Sequence, residues 1–148
     1  MTTPAPTVGG RAIGLAHYAS RAVLEQVLDP HGLTFLRFVT LRLTALADGP
    51  VEADRLVGEV VDAVKIDAAD AHRTVAELID AGLVTPREPS GVLVTDAGRE
   101  LHARASAETA VVSARIYDGI PAQDRAVAGR VLALVTERAN AELAASRT

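Results

Sequence analysis

The chain contains no cysteine among its 148 residues, and this absence excludes several classes of chemistry. Disulfides, thiolate metal sites and thiol-based oxidation switches all require cysteine. No hydrophobic run approaches the length of a membrane span, and residues 1–10 lack the charged start and apolar middle of a secretion signal. We therefore expect a cytoplasmic protein with no membrane partner, whose residues 1–10 form a flexible arm.

Signals of catalysis are missing as well. The four histidines show no metal-ligand spacing, no glycine-rich phosphate loop occurs, and no nucleophile stands in a recognisable setting. The sequence therefore predicts a protein that is not an enzyme and that has no cofactor or metal. Its length and its hydrophobic fraction of 49% are typical of one globular domain with a core of its own.

The most informative segment is residues 67–99, DAADAHRTVAELIDAGLVTPREPSGVLVTDAGR. Asp67 as N-cap, supported by Asp70 three residues later, predicts a helix that begins at about Ala68. Apolar residues recur on one face until Gly82 supplies a left-handed stop. This segment therefore predicts a helix of about four turns.

Two β-prone runs, residues 83–85 and 92–94, follow that helix and flank a loop rich in proline and glycine. They predict a short hairpin, after which Thr95 is placed as the N-cap of a further helix. A helix followed by a hairpin is the second half of a winged helix-turn-helix. Periodicity and breakers predict five other helices, at residues 10–28, 33–47, 51–65, 96–117 and 121–145.

With this order established, the chain resembles the MarR (multiple-antibiotic-resistance regulator) family of winged-helix transcription regulators, over roughly residues 10–145. Four segments carry the resemblance by their order and spacing: HGLTFLRFVTLRLTALADG, HRTVAELIDAGLV, LVTDAGRELHARA and IPAQDRAVAGRVLALV. The resemblance implies a mainly α fold with a small β-hairpin, a single domain over residues 1–148, and a winged helix-turn-helix core at residues 33–99. It also implies a homodimer built by long terminal helices.

The terminal helices support the dimer independently of the resemblance. Residues 10–28 and 96–145 are too long and too apolar to be covered by a winged-helix core of ordinary size, so their surplus apolar surface needs a partner. In the resembled family the dimer sets two recognition helices against successive major grooves of a pseudo-palindromic site. The alternative is a monomer in which these helices fold back on their own core.

The resemblance implies a regulator that binds double-stranded DNA, acts as a repressor and responds to a ligand. Charge argues against this reading, because residues 32–99 contain seven basic and eleven acidic side chains. Neutralisation of phosphates by Lys and Arg supplies most non-specific DNA affinity. The alternative function is therefore a MarR-like module that binds a small molecule or a protein and has lost its affinity for DNA.

Candidate DNA-binding residues lie on the recognition helix and in the hairpin loop: Ala69, His72, Arg73, Ala76, Arg87 and Ser90. Arg73 is the first choice for a base or phosphate contact, against the alternative of a solvated surface arginine near Glu77. The hairpin departs from the family, because it lacks the Asp-Arg pair that usually braces it. A second departure is VDAVKID, an apparent extension of four residues before the recognition helix.

The helical wheel of residues 33–47 places Arg42 in the middle of the apolar face, which predicts a buried guanidinium. It would then form a structural ion pair, for example with a carboxylate across the dimer, or extend its charged end to the surface, or hold a small aromatic or anionic effector. The resembled family binds phenolic effectors between helices 1, 2 and 5. The candidate effector residues are His17, Tyr18, Arg21, Phe35, Phe38 and Arg42. For His17, Tyr18 and Arg21 the simpler reading is a solvated face, with Arg21 and Glu25 as an ordinary helical pair.

Overall fold

A computed structural model describes residues 2–147, which form six α-helices, one short 3-10 turn and three β-strands. The predicted fold class, mainly α with a small β-sheet in a winged helix-turn-helix, is confirmed. In chain order the elements are α1 (Gly10–Leu28), the 3-10 turn (Asp29–His31), α2 (Phe35–Ala45), β1 (Val51–Glu52), α3 (Ala53–Val64), α4 (Ala68–Asp80), β2 (Val84–Arg87), β3 (Gly91–Val94), α5 (Asp96–Tyr117) and α6 (Ala122–Ala145).

The recognition helix, α4, begins and ends where the sequence predicts, but its start is held differently. Asp67 is the N-cap residue, yet its side chain makes no capping hydrogen bond, and the predicted side-chain cap is wrong. Its backbone carbonyl instead accepts from the N–H groups of Asp70 and Ala71. At the other end Gly82 takes a φ of 74°, and Leu83 N–H donates to the Leu78 carbonyl, which closes a Schellman turn.

The connection between α3 and α4 is short. The segment VDAVKID does not form a longer loop, since its first residues continue α3 to Val64 and three residues then lead into α4. Lys65 ends α3 in a left-handed conformation with a φ of 59°. The apparent extension therefore lengthens the helix that precedes the turn.

The sheet has three strands in the order β1-β3-β2, all antiparallel. The predicted hairpin is formed by β2 and β3, and the structure places Val84 opposite Val94 and Arg87 opposite Gly91. The third strand was not predicted, since Val51 and Glu52 were assigned to the start of a helix and instead pair with Val92 and Gly91. Two residues carry too little pattern to distinguish a strand from a helix start.

Thr95 fixes α5 to the end of the hairpin as predicted. Its hydroxyl accepts from the Gly98 N–H at 3.0 Å, and it also lies 2.7 Å from the Gly82 carbonyl oxygen, to which it donates. Gly98 allows the close approach, because a Cβ there would lie 2.0 Å from the Leu83 carbonyl oxygen. The start of α5 is thus packed tightly against the exit of α4.

The core of the winged-helix part collects apolar side chains from α2, α3, α4 and the sheet, closed by Leu28, Leu33 and Ala105. Its largest fully buried side chains include Leu41, Leu56 and Leu78. These residues belong to a first compact unit that ends at Ala110. Burial of such side chains supplies the main stabilisation of a domain of this size.

The side of α2 that faces the core differs from the predicted side. Thr40 and Thr44, expected on the polar side, are 0% and 1% exposed, whereas Leu46 is 64% exposed and Arg42 is exposed too. The threonine hydroxyls donate to backbone carbonyls of their own helix, so they enter the core with no unpaired polar group. The predicted burial of Arg42 is therefore wrong.

A second compact unit begins at Val111 and contains the end of α5 and all of α6. Within it Arg125 places its guanidinium 4.7 Å from the centre of the Tyr117 ring. Most side chains of α6 are exposed, including large apolar ones: Val127, Leu132, Leu134, Val135 and Leu143. A monomeric soluble protein rarely exposes a series of large apolar side chains such as this one.

Candidate DNA-binding and effector surfaces

The structure places all four candidate residues of the recognition helix on its exposed side. Ala69, His72, Arg73 and Ala76 are exposed, while the opposite side of α4 is buried against the core. This alternation follows from the periodicity of the helix, which turns one face inward and leaves the other free.

Arg73 is already engaged within its own helix. Its Nη1 atom lies 3.1 Å from the Asp70 Oδ1 atom, and its side chain is 66% exposed. The expected neighbour, Glu77, binds elsewhere, because its Oε2 atom accepts from the Arg37 Nε atom at 2.8 Å. The Arg73 guanidinium is therefore paired with a carboxylate of its own helix and is not free.

The other cations of α3 and its turn are also paired with carboxylates. Arg55 lies 3.2 Å from Glu59, and Lys65 lies 3.6 Å from Asp62. Ion pairs this exposed contribute little to stability, but they lower the positive potential of the surface. The acidic balance of the sequence is thus repeated locally around the recognition helix.

The hairpin loop carries a cation in a different setting. Arg87, at the end of β2, is exposed and has no carboxylate within ion-pair distance among residues 2–147. Ser90, which precedes β3, is exposed as well, and its carbonyl accepts from the Ala53 N–H. The loop between the two strands is three residues long, so Arg87 lies close to the tip of the hairpin. We call this hairpin, residues 84–94, the wing.

The six candidate effector residues do not form one cluster. His17 and Tyr18 are exposed on α1, and their rings contact each other edge to face with centres 5.4 Å apart. Arg21 pairs with Glu25 at 2.9 Å, as predicted, and its guanidinium lies 4.5 Å from the centre of the Phe35 ring. Arg21 and Phe35 thus belong to one group, and His17 and Tyr18 to another.

The remaining two candidates, Phe38 and Arg42, lie beside a histidine that sequence reasoning missed. The His102 ring stacks on the Phe38 ring with centres 6.0 Å apart, and its Nε2 atom lies 3.1 Å from the Ser106 hydroxyl. Burial lowers the pKa of His102, and the positive charge of Arg42 lowers this pKa further. Both effects favour the neutral form of the His102 ring. We call this group, Phe38, Arg42, His102 and Ser106, the α2/α5 cluster.

No pattern in the sequence marked His102 for that role. It lies on α5, sixty residues after Arg42, and a lone histidine in an amphipathic helix gives no sign of which side chains it meets. The pairing depends on the rotation of α2, which the helical wheel assigned wrongly. A guanidinium, a neutral imidazole and a hydroxyl beside an aromatic ring are suited to bind a carboxylate attached to a small ring.

A separate cleft of about 450 Å³ opens between α1, the beginning of α2 and α4. Leu33, Phe35 and Leu36 supply its apolar surface. Its charged lining consists of Arg21, Glu25, Asp29, Asp70, Arg73 and Glu77. The cleft therefore contains the group formed by Arg21 and Phe35, and it reaches the recognition helix through Arg73. We call it the α1/α4 cleft.

Comparison with solved structures finds the same fold in MarR-family regulators. CouR from Rhodococcus jostii RHA1, bound to p-coumaroyl-CoA, superposes with a TM-score of 0.74 at 21% identity, over 86% of this chain and 90% of that one. Rv2887 from Mycobacterium tuberculosis, in complex with DNA, gives 0.68 at 24% identity, over 88% and 98%. NadR in complex with 4-hydroxyphenylacetate gives 0.69 at 17% identity, over 92% and 98%.

Two other comparisons are negative: no protein-family model matches the chain, and no curated protein sequence matches it. The fold of the MarR family, predicted from four short segments, is confirmed, because the structural matches extend over nearly the whole chain. Among residues 2–147 no helix is both long enough and apolar enough to cross a membrane.

Proposed function

We propose that this chain is a MarR-family transcription regulator, a homodimeric cytoplasmic repressor that binds a pseudo-palindromic DNA site and releases it when a small molecule binds. The observation that carries the proposal is the exposed side of α4 in a winged-helix fold, with Arg73 in its middle and Arg87 at the wing. The DNA complex of Rv2887, which has this fold, supports it. The same proposal implies no catalytic activity.

The contact residues proposed for DNA are Ala69, His72, Arg73, Ala76, Arg87 and Ser90. The four on α4 would enter the major groove, where Arg73 can make a bidentate contact with a guanine. Arg87 and Ser90 would lie against the backbone beside it, since the wing lacks a second cation to reach into the minor groove. Asp67 and Asp70 at the start of α4 would oppose phosphate and weaken the complex.

A homodimer is proposed from the apolar side chains that the chain leaves exposed. Leu134 on α6 is 46% exposed and Tyr18 on α1 is 70% exposed, and similar side chains occur along the end of α5. Burying large apolar side chains between two copies contributes about 25 cal/mol of favourable free energy for each Å² of apolar surface removed from water. A two-fold pair of recognition helices is also what a pseudo-palindromic site requires.

Light scattering tests the dimer directly. The protein at micromolar concentration should scatter with about twice the 15.4 kDa mass of the chain. Leu134→Asp should lower that mass toward the monomer, because it places a charge on the apolar side of α6. Thr136→Asp adds the same charge at an exposed polar position of the same helix and serves as the control. A wild-type monomer at this concentration would contradict the dimer.

The proposed effector is a small aromatic acid bound at the α2/α5 cluster, where Arg42 and His102 would hold its carboxylate. Phe38 is buried and stacks on the His102 ring, so it would position that imidazole. The ligand of NadR, 4-hydroxyphenylacetate, has this chemistry and is a suitable probe. Arg42→Met keeps much of the side-chain volume and removes the charge. It should abolish the response to the probe and leave DNA binding unchanged, as measured by fluorescence anisotropy of a labelled operator.

Binding of such an acid should depend on pH through His102. Its pKa is lowered in the free protein, so stability declines as pH falls below the ordinary pKa of about 6.5, where the unfolded chain takes up the proton first. A carboxylate bound beside His102 would raise the pKa of His102 again, because it favours the protonated form of the ring. Affinity should therefore rise as pH falls from 8 to 6, and His102→Gln should remove that rise. A pH-independent affinity in the wild type would contradict this role.

Selection of bound fragments from the source genome tests the DNA proposal, followed by a salt titration of the best fragment. A regulator should select a recurring pseudo-palindrome and release it as salt increases. The acidic surface around α4 favours a second candidate, a MarR-like dimer that binds a small molecule or protein without DNA affinity. Selected fragments no tighter than random DNA, with intact binding of the effector probe, would favour this second candidate.

A further inference from the structure

The α1/α4 cleft has an apolar floor and a face that already accepts a cation. Leu33 is buried, and Phe35 and Leu36 are half-buried beside it. The Arg21 guanidinium lies 4.5 Å from the centre of the Phe35 ring. The negative face of this ring is therefore in contact with a positive group of the cleft. Because Arg21 occupies this face, a ligand would pack on Leu36 and beside the Phe35 ring, next to a contact that already shows the preference of the ring for positive charge.

The charges around this floor favour cations. Four carboxylates and two guanidinium groups line the cleft, and with Arg37, which pairs with Glu77, the excess is one negative charge. Glu25 and Asp70 neutralise the two arginines, and Glu77 pairs with Arg37. The exposed Asp29 carboxylate has no hydrogen bond or ion pair among residues 2–147, and it lines the same cleft. A ligand cation therefore finds a free carboxylate, while an anion meets an opposing field.

We propose that the α1/α4 cleft binds an organic cation with a flat apolar body, such as an arylalkylamine. A volume of about 450 Å³ lies within the range of small-molecule sites. The ring would lie over Leu36 and beside Phe35, and the ammonium group would pair with Asp29. This site is distinct from the α2/α5 cluster, which carries the opposite charge preference, and it does not depend on whether the chain binds DNA.

An occupant of this cleft acts on the recognition helix by contact. Asp70 and Arg73 both line the cleft, and their ion pair holds the Arg73 side chain against α4. The ammonium group at Asp29 adds positive charge to the cleft that Asp70 also lines, and this charge weakens the attraction between Asp70 and Arg73. This effect rests on the proposed function: if the chain binds DNA, the amine should increase its DNA affinity, opposite to the release expected at the α2/α5 cluster.

The test uses two probes with the same ring and opposite charge, tryptamine and indole-3-acetate. The chain contains no tryptophan, so the indole fluorescence of each probe can be followed without interference from the protein. Tryptamine should show a saturable rise in anisotropy as the protein is added, whereas indole-3-acetate should bind at least tenfold more weakly at this cleft. In the Arg42→Met background the competing site for the acid is removed, which keeps the comparison clean.

Two variants locate the bound amine. Asp29→Asn should weaken tryptamine binding about two- to fivefold, the range of one exposed ion pair. Phe35→Leu should weaken it further through loss of the ring contact, and circular dichroism will establish that it folds. Asp118→Asn removes an exposed carboxylate that does not line the cleft and should change nothing. No saturable binding of tryptamine at millimolar concentration, equal binding of the acid, or binding unaffected by Asp29→Asn would overturn the proposal.

Discussion

The recognition helix and the wing each expose an arginine, but only the arginine of the recognition helix is paired with a carboxylate. Arg73 on α4 lies 3.1 Å from Asp70, while Arg87 on the wing has no carboxylate partner among residues 2–147. A phosphate that approaches Arg87 gains a new interaction at once, whereas one that approaches Arg73 competes with a carboxylate in place. An arginine on the exposed side of the recognition helix therefore does not by itself give that surface a positive potential, because a neighbouring carboxylate can neutralise it.

The same difference separates the roles expected for the two arginines. A paired guanidinium gains from DNA only if the new contact is better than the old one, and a bidentate contact with a guanine fulfils that condition. A free guanidinium gains from any phosphate. We therefore expect Arg73 to contribute specificity and Arg87 to contribute affinity that is independent of sequence.

The largest effect is expected from Arg73→Ala. It should cost about 1–3 kcal/mol at the selected site and relax the preference at one position of each half-site. Competition titrations with single-base variants of the site measure both quantities. Arg104→Ala, an exposed arginine of α5, is the matched control and should leave the affinity unchanged. Equal losses on selected and random DNA would reverse the roles of the two arginines.

A smaller effect is expected from Arg87→Ala. Removal of a free cation should weaken binding to all sequences alike and reduce the slope of log affinity against log salt by about one for each wing that contacts a phosphate. The salt titration measures this slope directly. A loss confined to the selected site would mean that the wing reads bases.

The smallest effect, and one of opposite sign, is expected from Asp70→Asn. It frees Arg73 and removes a negative charge near phosphate, so affinity for DNA should rise by less than about 1 kcal/mol. The helix loses a favourable charge in its first turn, and a small drop in melting temperature should accompany the gain. Asp80→Asn, at the far end of α4, is the control for the change in net charge. A fall in affinity would show that the Asp70–Arg73 pair orients Arg73 productively.

Much of the fold was predictable because local chemistry fixes it. Gly82 and Thr95 mark the exit of α4 and the start of α5 by conformation and capping, and both marks are confirmed. The bounds of α1 were predicted from its apolar periodicity and the breaker that follows it. The two-residue strand β1 was missed, because its only signal is a partner forty residues away along the chain.

The candidate sites were less predictable, since they depend on which neighbours a side chain meets. The wheel of α2 counted Thr40 and Thr44 as polar, although their hydroxyls are satisfied within the helix, and this error placed Arg42 inside. His102 and the Asp70–Arg73 pair followed from packing and rotamer choice, which periodicity does not encode. The exposure of the four α4 residues, in contrast, follows from helical period alone.

The most direct measurement is the affinity of the wild-type protein for its best genomic fragment and for a scrambled duplex of equal length, at several salt concentrations. The proposed function predicts tighter binding to the selected fragment at every salt concentration, a shallow slope that reflects the few free cations, and loss of the difference in Arg73→Ala. Equal affinity for both duplexes, unchanged by Arg73→Ala, would contradict a DNA-binding regulator.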